Sequence, residues 1–135
     1  MLVNFFIAAG ILFVISISWF LVHYWMNPIM TQPDGKGRLK GSCGDIMEIY
    51  LKFHHNKAVD ISHWTNGCSY SFTCLQFASD LAKNKQPEEI LDIRAEDIAN
   101  LIGGLPKDHM HCATLAASTL HSAVDDYMKS NTKKI

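Results

Sequence analysis

Three cysteines of the 135-residue chain lie at breaks in the sequence pattern, where their thiols could reach a ligand. Cys43 lies in a Gly-Ser-Cys-Gly-Asp loop, Cys68 follows Gly67, and Cys112 follows His111. We expect Cys68 and Cys112 at the N-termini of helices, where the helix dipole and free N–H groups lower the pKa of a thiol. A lowered pKa favours the thiolate, which is the form that binds a metal.

Two neighbouring side chains add other donor atoms to these thiols. Asp45 lies two residues after Cys43, so in an extended chain both side chains project to the same side, and His111 precedes Cys112. Sulfur, nitrogen and oxygen donors together suit zinc or an iron–sulfur centre. The separations, 24 residues between Cys43 and Cys68 and 43 between Cys68 and Cys112, match no zinc-ribbon or ferredoxin pattern. Three unrelated small core residues are therefore the alternative.

The fourth cysteine and the remaining histidines have a weaker case for chemistry. Cys74 shares an apolar helical stripe with Phe77 and Leu81, which predicts a buried structural thiol, and its functional alternative is an auxiliary sulfur carrier. The other histidines of the segment after residue 33 show no ligand spacing, so we expect them to be exposed or hydrogen bonded: His54, His55, His63, His109 and His121. Of these, His109 is the one close to a candidate ligand, two residues before His111.

An antiparallel hairpin and a set of helices must position these residues. Residues 46–53 and 58–64 alternate between apolar and polar side chains around a turn at 54–57. After Cys68 the apolar period becomes helical, with one stripe formed by Tyr70, Cys74, Phe77, Ala78 and Leu81.

Three further helices are predicted after this one. A short helix begins at Pro87, another covers 95–102 before Gly103-Gly104, and the last runs from about His109 to Met128 with Asp108 as its cap. Strands followed by helices indicate an α+β domain, with a small antiparallel sheet of about three strands and helices packed on one face.

The N-terminal segment differs from the rest, because all 12 Lys and Arg and all 13 Asp and Glu residues follow residue 33. At about 1.5 Å per residue, residues 1–26 are long enough to cross a hydrocarbon core of roughly 30 Å. A cleaved signal peptide is the alternative, but a basic n-region and a small-x-small cleavage site are lacking. We therefore expect a transmembrane anchor at 1–26, a linker and lead-in loop rich in Pro and Gly at 27–42, and the site-bearing domain at 43–135.

The charges near the anchor predict its direction. Lys36, Arg38 and Lys40 follow the helix and no basic residue precedes it, so the positive-inside rule predicts a single-pass protein with its N-terminus outside and its domain on the cytoplasmic face. Cysteines in a reducing compartment are thiols or metal ligands, whereas outside the cell four could form two disulfides. A net charge of −1 gives no reason to expect nucleic-acid binding.

Four short segments, in this order, match a known family: His23-Tyr24-Trp25-Met26-Asn27-Pro28, Cys43-Gly44-Asp45, Gly67-Cys68, and Leu105-Pro106 followed by His111-Cys112. With them the sequence resembles the U-type iron–sulfur cluster scaffold family, meaning IscU and the N-terminal domain of NifU. The resemblance implies a scaffold rather than an enzyme, on which iron and sulfide form a 2Fe-2S cluster, or a 4Fe-4S cluster in a dimer. It implies that Cys43, Cys68 and Cys112 are cluster ligands and sulfur acceptors, that Asp45 assists release, and that His111 is an alternate ligand.

The resemblance also implies partners. These are a cysteine desulfurase as sulfur donor, an iron donor, apo iron–sulfur proteins as recipients, and a second copy of the chain in a homodimer. The chain departs from the family in several places, and the N-terminal membrane helix is not a family feature. The family's Leu-Pro-Pro-Val-Lys chaperone-binding stretch reads Leu105-Pro106-Lys107-Asp108-His109, which weakens the expectation of an Hsp70-type partner. The small Gly-Ser-Ala run after the second cysteine is replaced by residues 69–74, which predicts a more shielded site.

Two other functions use the same residues. In the first, the ligands hold zinc in the apo form and the protein is a sulfur acceptor that activates a cysteine desulfurase; the insertion typical of that branch, between the second and third cysteines, is lacking here. In the second, Cys112 or Cys68 is the nucleophile of a thiol hydrolase. The hydrolase is disfavoured because the adjacent His111 and Cys112 on a helix should point about 100° apart.

Overall fold

The computed structural model describes residues 1–26 and 30–134 and divides the chain into two compact units, Met1–Thr31 and Gln32–Ile135. Residues 27–29 and Ile135 lie outside the described part. Asn27 and Pro28, which carry part of the family resemblance and begin the predicted linker, are therefore outside it too.

The first unit contains one long apolar helix, α1 (Leu2–Met26). Its 25 residues include a window of mean hydropathy 2.5, and its side chains are exposed throughout. By length and composition, this helix can cross a membrane. The predicted extent of the apolar segment is thus confirmed as a helix.

The second unit is built on a three-stranded antiparallel sheet in the order β1-β2-β3. The strands are β1 (Gly35–Lys40), β2 (Ile46–His54) and β3 (Lys57–Thr65). The predicted hairpin of β2 and β3 is confirmed, and its turn residues His55 and Asn56 both have positive φ, 49° and 60°. Tight hairpins favour such a turn because its twist matches that of the flanking strands.

The first strand lies within residues 27–42, which the sequence analysis read as linker and loop, and for Gly35–Lys40 that interpretation is wrong. Its glycines face the last helix at very short range. A Cβ on Gly37 would lie 2.7 Å from the backbone nitrogen of Ala123, and one on Gly35 would lie 2.8 Å from Cβ of Tyr127. Glycine is therefore needed here for close packing of backbone on backbone, although it weakens the sequence signal of a strand.

The helices cover one face of the sheet, as predicted. They are α2 (Ser69–Ala82), α3 (Pro87–Leu91), α4 (Ala95–Leu101) and α5 (Met110–Thr132), with a 3₁₀ turn at Lys107–His109 before α5. The helix α5 packs on β1 and β2, and α2 packs on β3. Met47, Ile49 and Leu51 of β2 are fully buried beneath them. The predicted α+β architecture is therefore confirmed.

Two local expectations for the helices are wrong. Asp108 lies in the 3₁₀ turn, so His109 rather than Asp108 is the N-cap of α5. Tyr70 was expected on the apolar stripe of α2, but it is 41% exposed. The buried face of α2 includes Ser71 and Ser79 instead. A reading of apolar residues alone misses these serines, which are hydrogen bonded: the Ser79 hydroxyl donates to the Leu75 carbonyl at 2.9 Å.

Candidate metal centre

The strand register brings the loop after β1 and the segment after β3 to the same end of the sheet. Lys40 pairs with Ile46 and Met47 pairs with Thr65, so residues 41–45 and 66–68 are neighbours at this end. Asn66 accepts a hydrogen bond from the backbone N–H of Ile46 at 2.7 Å, which ties the two segments together. The topology thus places Cys43 and Asp45 beside the residue that begins α2.

That residue is Cys68, the N-cap of α2, and its thiol is exposed. Hydrogen bonds from the backbone N–H and then the hydroxyl of Ser71 lower the pKa of Cys68, and the backbone N–H of Tyr70 adds to the effect. These groups stabilise the thiolate more than burial and the nearby Asp45 charge oppose it. The expected lowering at a helix N-terminus is therefore confirmed for Cys68.

Cys112 lies in the first turn of α5, as predicted, but its side chain is buried, with 1% of its surface exposed. Burial raises the pKa of Cys112, the hydroxyl of Ser71 lowers it, and the charges of Cys68, Cys43 and Asp45 raise it further. The expectation that its pKa is lowered is wrong, because burial outweighs the helix N-terminus. Cys68, Cys43 and Asp45 are thus near enough to Cys112 to influence its pKa.

Ser71 is at the centre of the site, and the sequence analysis did not identify it. It is fully buried, and its hydroxyl donates to Oδ2 of Asp45 at 2.5 Å. Its Oγ also lies 3.7 Å from Sγ of Cys68 and 3.5 Å from Sγ of Cys112. One hydroxyl therefore contacts two thiols and the carboxylate. The available signal was its position three residues after Cys68, on the same face of the helix.

Gly67 makes the approach of Asp45 to α2 possible. A Cβ at this position would overlap Oδ2 of Asp45 and would lie 2.7 Å from Oγ of Ser71. Any larger residue would therefore displace the carboxylate from its partner. This close approach gives the Gly67-Cys68 pair a packing role as well as a chemical one.

Cys43 occupies the exposed loop between β1 and β2. The loop is closed by backbone hydrogen bonds from Gly44 to Gly41 at 3.0 Å and from Gly41 to Asp45 at 2.8 Å. Gly44 has a φ of 93°, a conformation that glycine adopts without strain. The thiol is thus held at the open side of the site by a short, tight loop.

His109 belongs to the site, so the expectation that it is exposed or hydrogen bonded is wrong. One ring nitrogen of His109 and the sulfurs of Cys68 and Cys112 all lie within 4.8 Å of one another. Its Nδ1 is buried, with no hydrogen-bond partner in the part of the chain that the structure describes. Tyr70 stacks on its ring at a centroid distance of 3.9 Å and an angle of 18°.

Three predicted site residues lie outside this three-residue group: Cys43, Asp45 and His111. Of these, His111, the predicted alternate ligand, is exposed. Its Nε2 is 3.5 Å from Sγ of Cys112. The expectation that these adjacent side chains point apart is therefore wrong, because the imidazole is long enough to turn back over the first turn of α5. His111 can contact the sulfur of Cys112 from the solvent side.

The other predicted residues lie outside the three-residue metal group. Cys74 is fully buried, and burial followed by the charges of Cys112 and Cys68 raises its pKa to about 11. At neutral pH it is a thiol, which favours the structural interpretation over an auxiliary carrier. His63 and His121 are hydrogen bonded, to Ser79 at 3.2 Å and to the Ile93 carbonyl at 2.9 Å, as expected.

Two thiols at helix starts and one imidazole form a donor group suited to metals of borderline softness. A carboxylate, joined to both thiols through Ser71, and a third thiol on the adjacent loop lie outside this group. Fold and site together define a small α+β metal-binding domain. The chain belongs to the family of NifU-like N-terminal domains, whose sequence model matches residues 31–134. The family recognised from the sequence is therefore confirmed.

Relatives of this chain include the iron–sulfur cluster assembly scaffold protein IscU 1 of Archaeoglobus fulgidus, which is 42% identical over 101 residues. That match covers 74% of this chain and 66% of the relative, slightly under two thirds of its length. The IscU scaffold protein of Aquifex aeolicus is 28% identical over 115 residues, or 80% of this chain and 73% of the relative. These names favour the scaffold interpretation over the zinc-bound sulfur acceptor.

Solved structures agree on the fold. A crystal structure of a nitrogen-fixing NifU-like protein (N-terminal) from Brucella abortus matches with a TM-score of 0.55 and 15% identity. The match covers 74% of this chain and 83% of that structure. At this level of identity the likeness supports the α+β fold of the second unit.

Proposed function

We propose that this protein is a scaffold for iron–sulfur cluster assembly, which binds a transient 2Fe-2S cluster and passes it to apo-proteins. The observation that carries the proposal is the meeting of Cys68, Cys112 and His109 at one end of the sheet. The Ser71 hydroxyl connects Asp45 to both of these thiols, and Cys43 lies on the exposed loop that leads to Asp45. Three thiolates and one harder oxygen ligand bind iron without closing the site completely. The relatives named as iron–sulfur scaffolds support the same function.

The three cysteines have different tasks in this proposal. Cys68 is exposed and its pKa is lowered, so its thiolate attacks the outer sulfur of a desulfurase persulfide, and the donor cysteine leaves as a thiolate. Cys112 is buried and serves as the fixed ligand, whereas Cys43 closes the site from its exposed loop. The protein receives and holds sulfur and iron, and it performs no catalytic turnover.

Asp45 makes the bound cluster transferable. A carboxylate is a harder ligand than a thiolate, so it holds cluster iron less tightly and favours release. The hydrogen bond from Ser71 at 2.5 Å sets the position of its Oδ2. His111 lies 3.5 Å from the sulfur of Cys112 and serves as an alternate ligand when Asp45 leaves.

The partners follow from this chemistry. A cysteine desulfurase supplies sulfur, a separate donor supplies iron, and apo iron–sulfur proteins accept the cluster; two chains with joined sites hold a 4Fe-4S cluster. We also infer that residues 1–26 anchor the protein in a membrane, with the N-terminus outside and the domain on the cytoplasmic face. The length and composition of α1 support the anchor, and Lys36, Arg38 and Lys40 support its direction.

Anaerobic cluster assembly tests the proposal. The full chain in detergent is incubated with iron(II), cysteine, a cysteine desulfurase and dithiothreitol, the thiol that reduces the persulfide sulfur to sulfide. The visible spectrum and the bound iron and sulfide are then measured. We expect a chromophore with equal amounts of iron and sulfide. A Cys43→Ala, Cys68→Ala, Cys112→Ala triple variant should form none, whereas the matched Cys74→Ala variant should form it. An unchanged chromophore in the triple variant would refute the proposed site.

A further inference from the structure

His109 is better placed to bind a metal than the histidine that the sequence singled out. One of its ring nitrogens and the two sulfurs of Cys68 and Cys112 lie within 4.8 Å of one another, a spacing that a single ion can bridge. Zinc and first-row transition metals lie about 2.0–2.3 Å from histidine nitrogen and cysteine sulfur, so ligands of one ion lie within about twice that distance of each other.

The environment of the ring also points to a ligand. Nδ1 of His109 is buried and lacks a hydrogen-bond partner among residues 1–26 and 30–134. Buried polar atoms nearly always have partners, so an unpaired nitrogen on a ring that borders two thiols requires an explanation. A neutral imidazole keeps one nitrogen free as an acceptor, and a metal ion is the partner that such a nitrogen can take.

The ring is held in place before any ion binds. His109 ends the 3₁₀ turn, where its backbone N–H donates to the carbonyl of Pro106 at 2.9 Å. Tyr70, in the first turn of α2, stacks on the imidazole with ring centroids 3.9 Å apart. The two elements that carry Cys68 and Cys112 therefore also fix His109. Such preorganisation reduces the cost of ordering a ligand when an ion binds.

We propose that His109 is a metal ligand and that, with Cys68 and Cys112, it binds a single divalent ion of borderline softness, iron(II) or zinc(II), before cluster assembly. The biological purpose of this ion rests on the proposed function. Its binding to the three residues does not require sulfide. Asp45 or a water completes a four-ligand shell. Cys43 on its exposed loop joins when sulfide and a second iron arrive, and His111 contacts Cys112 from outside.

Cobalt(II) binding to the full chain in detergent, without oxygen, tests this inference. Cobalt is a visible probe, because its d–d bands report a tetrahedral site and its sulfur charge-transfer band reports thiolate ligands. Zinc competition then gives the affinity. We expect His109→Asn to weaken cobalt binding by at least about 100-fold, since loss of an outer-shell partner alone costs about 10- to 100-fold. The matched exposed variant His54→Asn should bind as wild type does.

Two results would overturn the inference: His109→Asn binding within threefold of wild type, or a larger loss in His111→Asn than in His109→Asn. If His109→Asn does not fold, ring ¹⁵N NMR of the wild-type chain decides. A zinc-induced shift of the His109 ring nitrogens supports the inference, and a shift confined to His111 contradicts it.

The inference and the proposed function fail separately. Cobalt binding that is independent of His109, in a chain that still assembles a cluster on its cysteines, removes only the inference. Cobalt binding that depends on His109, in a chain that assembles no cluster, removes the scaffold function and leaves the mononuclear site.

Discussion

The hydroxyl of Ser71 restrains the residue that is proposed to release the cluster, so Ser71→Ala should change the rate of cluster transfer. Ser71 donates to Oδ2 of Asp45 at 2.5 Å, and Ala would remove this donor without adding volume. The backbone N–H of residue 71, which is the largest cause of the lowered pKa of Cys68, would remain. The variant also removes the contacts of this hydroxyl with the sulfurs of Cys68 and Cys112, so a comparison with Asp45→Ala is needed to separate the effect on the carboxylate.

The magnitude follows from the kind of hydrogen bond. A hydrogen bond to a charged group contributes about 1.5–3 kcal/mol, and about 1.4 kcal/mol corresponds to a tenfold change in an equilibrium constant. Asp45 is only partly buried, so water replaces part of the lost hydrogen bond. The loss should therefore lie at the lower end of that range of free energies. We expect the freed carboxylate to compete better for iron and cluster transfer to become about tenfold faster.

The assay loads each variant with cluster and follows its transfer to an apo-ferredoxin by visible absorption. Asp45→Ala should retain its cluster longer than wild type. If Ser71 acts through Asp45, the double variant should behave like Asp45→Ala rather than show the sum of the two effects. Thr73→Ala is a matched control, because its hydroxyl donates to the Ser69 carbonyl in the same helix. Slower transfer in Ser71→Ala, or additive effects in the double variant, would refute the reasoning.

Three further predictions concern packing, pH and reactivity. Gly37→Ala should lower the free energy of unfolding by about 1–3 kcal/mol in urea, because its Cβ would lie 2.7 Å from the Ala123 nitrogen; an unchanged midpoint would contradict this close packing. Burial lowers the pKa of His63 below 6.5 in the folded protein, so on acidification His63 is protonated at a higher pH in the unfolded chain than in the folded one. Stability should therefore fall as the pH decreases below about 6.5. His63→Gln should flatten that dependence in denaturation curves at several pH values, and an equally steep fall would count against it. Iodoacetamide should modify Cys68 well before Cys74 in peptide mass spectra at pH 7, and equal rates would contradict the pKa directions and burial of these thiols.

The sequence allows the hairpin and most helices to be predicted, because their signals are local. Strands β2 and β3 alternate visibly, and Gly103-Gly104 ends α4 with positive φ values of 91° and 102°. Strand β1 could not be predicted, since its glycines are explained only by contact with α5, more than 80 residues away. Local patterns contain no information about such long-range packing.

The sequence allowed Cys68 and Cys112 to be predicted at one site, where the structure brings them together, but it did not allow their neighbours to be predicted. Ser71 and His109 become site residues only because α2 and α5 meet, which no spacing in the chain reveals. The pKa of Cys112 was expected to fall because it lies at a helix start, but burial by neighbouring elements reverses the direction. Chemistry that depends on long-range packing requires the structure.

The measurement that tests the central claim most directly is a cluster balance between this protein and an acceptor. The cluster-loaded full chain is mixed with apo-ferredoxin in the presence of an iron chelator, and iron and sulfide on both proteins are measured over time. We predict that the acceptor gains iron and sulfide in the amounts that this chain loses, with little iron in the chelator. A cluster that stays on the chain, or iron that moves only to the chelator, would contradict a scaffold function.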